Sequence, residues 1–193
     1  MQPYADILRQ QMCTFHPIDD EAWEDLVQPW TEITVKRKQP LTMMGDTEKY
    51  LYLVMDGVQR AFYTHNNKEV TLVFSYPHSF SGVIDSFLLQ KPSLYQLETI
   101  TESRLLRISY PEFMAVMTKH RSMETWVRIA VTQVLAATLQ REIELIAYTA
   151  EQKFRALLHR SPQVLNMIPH KYLASYIGVD PTNFSKLLSS VRL

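Results

Sequence analysis

Residues 170–188 read HKYLASYIGVDPTNFSKLL, and this stretch predicts two short helices joined by a tight turn. Apolar residues fall on one face of the first helix, and Gly178 follows at a position that favours a positive φ. Asp180 is a suitable N-cap for the second helix, and Pro181 suits its first position because a proline there lacks only an N–H that the helix does not use. The spacing of Ala174, the glycine and the later aromatic residue is that of a DNA-reading helix-turn-helix, although an ordinary αα-hairpin remains the alternative.

The polar side of the second helix carries short hydrogen-bonding side chains and one lysine, which suit base edges and phosphates. Thr182, Asn183 and Lys186 are expected to read bases, because residues near the start of a recognition helix meet base edges. The full set of predicted DNA-contacting residues, including those expected at phosphates, is Pro181, Thr182, Asn183, Ser185, Lys186, Ser189, Lys171 and His170. Residues 151–193 hold six Lys and Arg against two Asp and Glu, whereas residues 1–150 hold 14 against 18. This asymmetry favours double-stranded DNA as the partner of the C-terminal segment.

The composition indicates a globular protein. Hydrophobic residues make up 46% of the 193 residues, and the formal net charge is zero. Neither a long apolar run nor a basic leader followed by an apolar segment is present, so we expect a cytoplasmic protein that makes no membrane contact. Cys13 is the only cysteine, which excludes an intrachain disulfide, a multi-cysteine zinc site and a four-thiolate iron–sulfur cluster. No cofactor is expected.

The first half of the chain changes from helical to alternating patterns. Residues 3–30 predict short amphipathic helices, and from Thr31 apolar residues alternate with polar ones. Asp56-Gly57 between two alternating runs predicts a β-hairpin with positive φ at both residues, and Asn66-Asn67 predicts a second turn. Strands at this spacing of 8 to 12 residues suggest a small antiparallel barrel or jelly roll.

A long helix is predicted after the strands. Ser109 and Glu112 form a capping-box pattern that starts a helical region, and Ser122 to Tyr148 should be one helix of about 40 Å at 1.5 Å per residue. Its apolar residues occupy more than one stripe, which favours packing against the same helix of a second chain, with Val134 or Leu135 at the seam. Burial within one monomer is the alternative.

The chain therefore predicts an α+β protein with three parts: a β-barrel effector-type domain at residues 1–121, a dimerisation helix at 122–150 and a helix-turn-helix domain at 151–193. This order of parts resembles the CRP/FNR family of bacterial transcription regulators. The hairpin at residues 51–60, the sequence FSGVI at 80–84 and the motif at 174–186 carry the resemblance. It implies a cyclic-nucleotide-binding-like jelly roll, a homodimer that binds DNA, a small-molecule effector and RNA polymerase as a further partner.

The effector implied by the resemblance should not be cyclic AMP. In this family a phosphate-binding cassette begins where residues 80–84 stand here, so Gly82 corresponds to its glycine. Family members that bind this nucleotide have a glutamate just after that glycine and an arginine about ten residues later. Here Val83 follows the glycine, and Ser93, Leu94 and Tyr95 supply no guanidinium for the phosphate. Candidate residues for another ligand, which could equally be core and turn residues, are Tyr63, Phe74, Ser81, Gly82, Ser86 and Tyr95.

Two other classes of protein are alternatives to a regulator. A cupin-type metal enzyme would need clustered ligands, but His65 and His78 are thirteen residues apart without a His-x-His pattern, so we expect no enzyme. A ligand-binding or interaction protein with a vestigial helix-turn-helix is the second alternative. Salt-dependent DNA binding would separate it from a regulator.

Overall fold

A computed structural model describes residues 4–190, so the predictions for Pro3 and for residues 191–193 fall outside the described range. The helices are α1 (Ala5–Cys13), α2 (Asp20–Val27), α3 (Ile84–Leu89), α4 (Tyr110–Lys119), α5 (Arg121–Ala147), α6 (Ala150–Arg160), α7 (Val164–Met167), α8 (His170–Ile177) and α9 (Pro181–Ser190). The strands are β1 (Thr31–Val35), β2 (Pro40–Thr42), β3 (Tyr50–Asp56), β4 (Gln59–His65), β5 (Lys68–Ser75), β6 (Phe80–Ser81), β7 (Gln96–Thr99) and β8 (Ser103–Ser109). The α+β class is confirmed.

The strands form two antiparallel sheets with the orders β1-β8-β3-β6 and β2-β7-β4-β5. Side chains from both sheets, among them Val54, Ala61, Leu97 and Leu105, make a core within this jelly roll. Across residues 4–190 no ladder joins the two sheets into a closed cylinder, so the predicted barrel is an open roll. Alternating patterns identify strands but not whether the last one pairs with the first, which depends on contacts far apart in the chain.

The predicted hairpin at Asp56-Gly57 is wrong. The strands on either side of it, β3 and β4, lie in different sheets, so the chain changes sheet at this point. Of the two residues only Gly57 has a positive φ, of 86°. A Cβ atom there would lie 2.4 Å from the Glu102 carbonyl oxygen and from Ser103 Oγ, so a glycine is required. The turn at Asn66-Asn67 is confirmed as the β4–β5 hairpin, with φ values of 49° and 62°.

Helices cover the outer face of the β1-β8-β3-β6 sheet. A second core of Leu51, Leu53 and other buried residues packs against α1, α2, α4 and the start of α5. The predicted capping box at α4 is present, since Ser109 and Glu112 each accept a hydrogen bond from the other's backbone N–H. Trp126 on α5 donates its indole N–H to the Met12 carbonyl oxygen at 2.7 Å, which fixes α1 against α5.

Helix α5 begins and ends one residue before the predicted limits. His120 has extended dihedral angles and separates α5 from α4. Every residue from 131 to 140 is exposed in the single chain, so α5 leaves the core after Ala130. The large apolar side chains that it exposes are Val131, Val134, Leu135, Leu139, Ile143 and Ile146.

The C-terminal helices enclose a third core. Phe154 of α6 meets Phe184 of α9 edge to face, with ring centroids 5.4 Å apart. Leu173 and Ala174 of α8 are fully buried beside them. Val58 and Ile100 of the jelly roll belong to the same cluster, so the C-terminal helices and the roll share one apolar contact surface.

Candidate functional site

The two helices and the turn predicted at residues 170–188 are present. Helix α8 ends at Gly178, which is left-handed with φ 69° and ψ 34°, and the Val179 N–H reaches back to the Ala174 carbonyl oxygen at 3.0 Å. Asp180 Oδ1 accepts the Asn183 N–H at 2.9 Å and so caps α9. Phe184 is completely buried, which fixes α9 against the rest of the domain. Local sequence rules therefore determine the geometry of this unit.

Helix α9 presents its polar side to solvent. The predicted residues Pro181, Thr182, Asn183, Ser185, Lys186 and Ser189 are all exposed. Ser185 and Ser189 donate their hydroxyl protons to backbone carbonyls of their own helix, at 3.0 and 2.8 Å. Among residues 4–190, no carboxylate lies within ion-pair distance of Lys186. The cation and the amide of Asn183 are therefore available to a ligand.

His170 and Lys171 are exposed at the start of α8, but each also has a contact within the protein. The His170 ring lies 5.6 Å from the Phe184 ring, and Lys171 Nζ lies 4.7 Å from the centre of the Tyr172 ring. A phosphate contact by His170 or Lys171 would have to leave the contact with Phe184 or Tyr172 in place.

The first helix of the pair docks onto the jelly roll, a contact that the sequence did not indicate. Tyr172 of α8 stacks on the guanidinium of Arg60 at 4.0 Å, and Lys38 Nζ donates to the Tyr172 hydroxyl at 2.6 Å. Arg60 is 2% exposed, and its charge is balanced by Glu98 at 2.7 Å and by Glu69. Burial alone would raise the pKa of Tyr172, but the hydrogen bond from Lys38 and the Arg60 charge bring that pKa below its usual value. We call these five side chains the docking cluster.

A second set of contacts joins α8 to β5, the edge strand of its sheet. Ser175 Oγ accepts the Thr71 N–H at 3.0 Å and donates to the Glu69 carbonyl oxygen at 3.1 Å, so it substitutes for a neighbouring strand. Arg141 of α5 donates to the carbonyl oxygens of Thr71 and Tyr176 at 3.2 and 2.7 Å. Helices α5 and α8 are therefore held to the same strand edge.

The cassette segment, residues 80–95, is closed by contacts within the protein. Val83 is fully buried, and its backbone N–H donates to the carboxylate of Glu48 at 3.1 Å. Ser93, at the position where the family resemblance led us to look for an arginine, is 2% exposed and bonds the backbone of Tyr95.

Glu48 is a functional candidate that the sequence analysis missed. Besides Val83, its carboxylate accepts hydrogen bonds from Thr42 Oγ1 at 2.6 Å and from the backbone N–H groups of Lys49 and Tyr50. Burial raises the pKa of this carboxyl group, and the four hydrogen bonds oppose that shift without cancelling it. An internal carboxylate thus already occupies the Val83 N–H at the start of the cassette.

The six candidate ligand residues lie in different parts of the fold and do not form one site. Ser81 and Gly82 line an apolar cavity, whereas Phe74 packs against Tyr176 of α8 with ring centroids 5.3 Å apart. Ser86 Oγ accepts the Glu48 N–H at 2.9 Å, and the Tyr95 hydroxyl donates to Asp85 at 2.6 Å. Tyr63 stacks on His65 at the surface of β4.

The apolar cavity has a volume of about 370 Å³ and lies between the roll, α1, α3 and α5. Phe15, Phe80 and Trp126 form aromatic walls, with both phenyl rings 5.5 Å from the indole. Its lining includes no Asp, Glu, Lys or Arg side chain, so it suits a neutral ligand better than a nucleotide phosphate. Ser81 Oγ is buried there without a hydrogen-bond partner among the described residues.

Within residues 4–190, no three His, Cys, Asp or Glu side chains are grouped so that they could hold a metal ion. In the same range no helix has both the length and the apolar character needed to cross a membrane.

Comparison with known proteins identifies the fold. Residues 32–120 match the family model of the cyclic nucleotide-binding domain. No curated protein matches the sequence. Solved structures of similar fold cover a larger share of the chain than the family model does.

Three of these structures show how far the likeness extends. FixK2 from Bradyrhizobium japonicum has a TM-score of 0.72 at 12% identity and covers 83% of each chain. The catabolite activator protein of Thermus thermophilus has a TM-score of 0.59 at 20% identity, covering 95% of this chain and 90% of its own. CLP, a c-di-GMP responsive global regulator from Xanthomonas campestris, has a TM-score of 0.67 at 16% identity and covers 89% and 90%. At these identities the likeness shows the fold alone.

Proposed function

We propose that this chain is a homodimeric, DNA-binding transcription regulator of the CRP/FNR type whose effector, if it uses one, is not cyclic AMP. The observation that carries the proposal is the exposed polar side of α9, with Thr182, Asn183 and Lys186 near the start of a helix fixed by a buried phenylalanine. A helix presented in this way fits the major groove, while α8 crosses the DNA backbone. The likeness in fold to a catabolite activator protein and to the global regulator CLP supports the same reading. In this proposal the protein acts in the cytoplasm and meets RNA polymerase at the DNA.

Dimerisation is proposed through α5. Val131, Leu135 and Leu139 are spaced four residues apart, and Ile146 continues the same face two turns later. Each of these side chains is at least 40% exposed in the single chain, which is unusual for a row of large aliphatic residues. A second copy of α5 would cover the row in a symmetric, self-complementary interface. The two α9 helices should then lie about 34 Å apart and meet half-sites one turn of DNA apart.

Poor binding of cyclic AMP is part of the proposal. The buried Glu48 carboxylate already accepts the Val83 N–H, and Ser93 offers no positive charge to a phosphate. A phosphate brought beside Glu48 without a cation would lose a charge-assisted pair worth about 1.5–3 kcal/mol. Calorimetry should therefore show no binding of cyclic AMP at micromolar concentrations. Micromolar binding would contradict this part of the proposal.

Selection from random DNA followed by substitution tests the main proposal. Selection should recover a palindromic site, and Lys186→Ala should weaken binding by about 1–3 kcal/mol with relaxed preference at one base pair if the lysine reads a guanine. If Lys186 contacts a phosphate instead, binding to all sequences should weaken alike. The slope of the logarithm of the binding constant against the logarithm of the salt concentration should then fall by about one in magnitude. Lys91→Ala, at an exposed lysine of the cassette, is the control and should change neither.

An interaction protein with a vestigial helix-turn-helix gives the opposite result. It would select no palindrome, and Lys186→Ala would behave like the control. That outcome would refute the assignment of α9 as the reading helix.

A further inference from the structure

A second cavity, of about 900 Å³, opens at the end of the roll formed by β1, β2 and β3. Neither Val83 nor Ser93 lines it, although Glu48, which accepts the Val83 N–H, does. Its walls include Lys36, Lys49 and Arg107 together with the rings of Tyr50 and Tyr52. We call this cavity the basic groove. Its volume lies in the range of small-molecule sites, about 300–1,000 Å³.

The three cations of the basic groove are not held in ion pairs. None of its three cations has an ion pair with a carboxylate of residues 4–190. Glu48 also borders the groove, but its two oxygens already accept four hydrogen bonds. Asp46 Oδ2 accepts a hydrogen bond from the Met43 N–H at 3.4 Å. Against the carboxylates of Asp46 and Glu48, these three cations leave the groove a formal excess of one positive charge.

Arg107 is the most informative of these residues. Its guanidinium lies 4.3 Å from the centre of the Tyr50 ring, and its Nε is buried without a hydrogen-bond partner among the described residues. Arg104, three residues earlier on the same strand, is by contrast paired with Glu32 at 3.7 Å. A planar guanidinium that is held against an aromatic ring and lacks a carboxylate partner is well suited to pair with an oxyanion from solution.

We propose that the basic groove binds a small molecule that carries a phosphate or carboxylate group, with Arg107 pairing the anion. Lys36 and Lys49 add positive charge at the rim, and the Tyr50 and Tyr52 rings offer a surface for the body of the ligand. Burial raises the pKa of Tyr52, so its hydroxyl remains a protonated hydrogen-bond donor. The proposal is independent of the DNA-binding proposal, since it involves no residue of α8 or α9.

The test uses the full chain and two probes, inorganic phosphate and benzoate, titrated separately by calorimetry at constant ionic strength. At least one probe should bind saturably, and the stronger of the two identifies the anion that the groove prefers. Arg107→Gln should weaken that binding about 10-fold or more, because a hydrogen bond to a charged group is worth about 1.5–3 kcal/mol. Arg104→Gln is the matched control and should change the affinity less than about twofold, since surface substitutions elsewhere act weakly.

Arg107→Lys keeps the charge but loses the planar fork, so it should bind with intermediate affinity. Circular dichroism melting of each variant shows whether it is folded, and a folded Arg107→Lys keeps the test decisive if Arg107→Gln does not fold. The proposal is overturned if neither probe binds saturably at millimolar concentration, or if Arg104→Gln weakens binding as much as Arg107→Gln does. DNA binding measured without either probe separates these outcomes from failure of the regulator proposal.

Discussion

Ser175→Ala should loosen the docking of α8 on the edge strand β5. The serine hydroxyl accepts the Thr71 N–H at 3.0 Å and donates to the Glu69 carbonyl oxygen at 3.1 Å. Alanine removes both hydrogen bonds and adds no volume. Because Thr71 is fully buried, its N–H loses its acceptor in a place that water reaches poorly.

The expected size follows from that single orphaned donor. Leaving a buried N–H without an acceptor costs about 1–3 kcal/mol, which corresponds to a roughly 5- to 150-fold increase in the opening equilibrium of this contact. The remaining contacts of α8, including the stacking of Tyr172 on Arg60 and the two hydrogen bonds of Arg141, should keep the helices folded. The change should therefore be local.

Amide hydrogen exchange measured residue by residue is the suitable assay, because it reports local opening. Exchange of the Thr71 amide should accelerate by the factor above, while amides of the other sheet keep their rates. Ser189→Ala is the matched control, since that hydroxyl bonds only to its own helix at Lys186. Unchanged exchange at Thr71 in the Ser175 variant, or equal acceleration in the control, would refute the docked arrangement in solution.

Three further predictions concern the dimer, the cassette and the sheet crossing. Leu135→Glu should weaken dimerisation at least 10-fold in sedimentation equilibrium, since burying a leucine is worth about 1.5–3 kcal/mol, whereas Gln133→Glu, on nearly the opposite side of α5, should not. The pKa of Glu48 is raised above its usual value of 4.5, so the folded protein holds this proton more tightly than the unfolded chain does. The free energy of unfolding should therefore fall as pH rises from 4.5 through the raised pKa, and denaturant titrations at several pH values should show that Glu48→Gln loses this dependence. Gly57→Ala should lower the melting temperature sharply or prevent folding, because the added Cβ would lie 2.4 Å from two oxygen atoms, and an unchanged melting temperature would contradict the crossing described here.

The two C-terminal helices and the turn between them could be predicted closely because their signals are local. Gly178, Asp180 and Pro181 act within one or two residues of themselves, and the structure puts the end of α8 and the start of α9 where they indicate. The limits of α5 were also predicted to within one residue, from an uninterrupted helical run without glycine or proline; its N-cap, His120, makes no side-chain capping hydrogen bond, and the capping box belongs to α4.

The errors and omissions involve residues far apart in the sequence. An Asp-Gly pair indicates a change of direction, but whether the flanking strands pair depends on their other neighbours, here β8 for β3 and β7 for β4. Glu48 reaches the Val83 N–H across 35 residues, and Ser175 reaches Thr71 across 104. No periodic pattern or motif in the sequence predicts either hydrogen bond, so both become evident only in the folded structure.

The turn between β1 and β2 gives the proposed ligand site a physical connection to the proposed DNA-binding unit. Lys36 and Gln39 of this turn line the basic groove, while Lys38 between them has φ 62° and points its ammonium group at Glu98 and Tyr172 of the docking cluster. The turn is anchored from β7, whose Thr99 bonds the backbone on both sides of Lys38. Because Lys36 and Lys38 belong to one short turn whose backbone is held by Thr99, the basic groove and the docking cluster rest on the same anchored segment of chain.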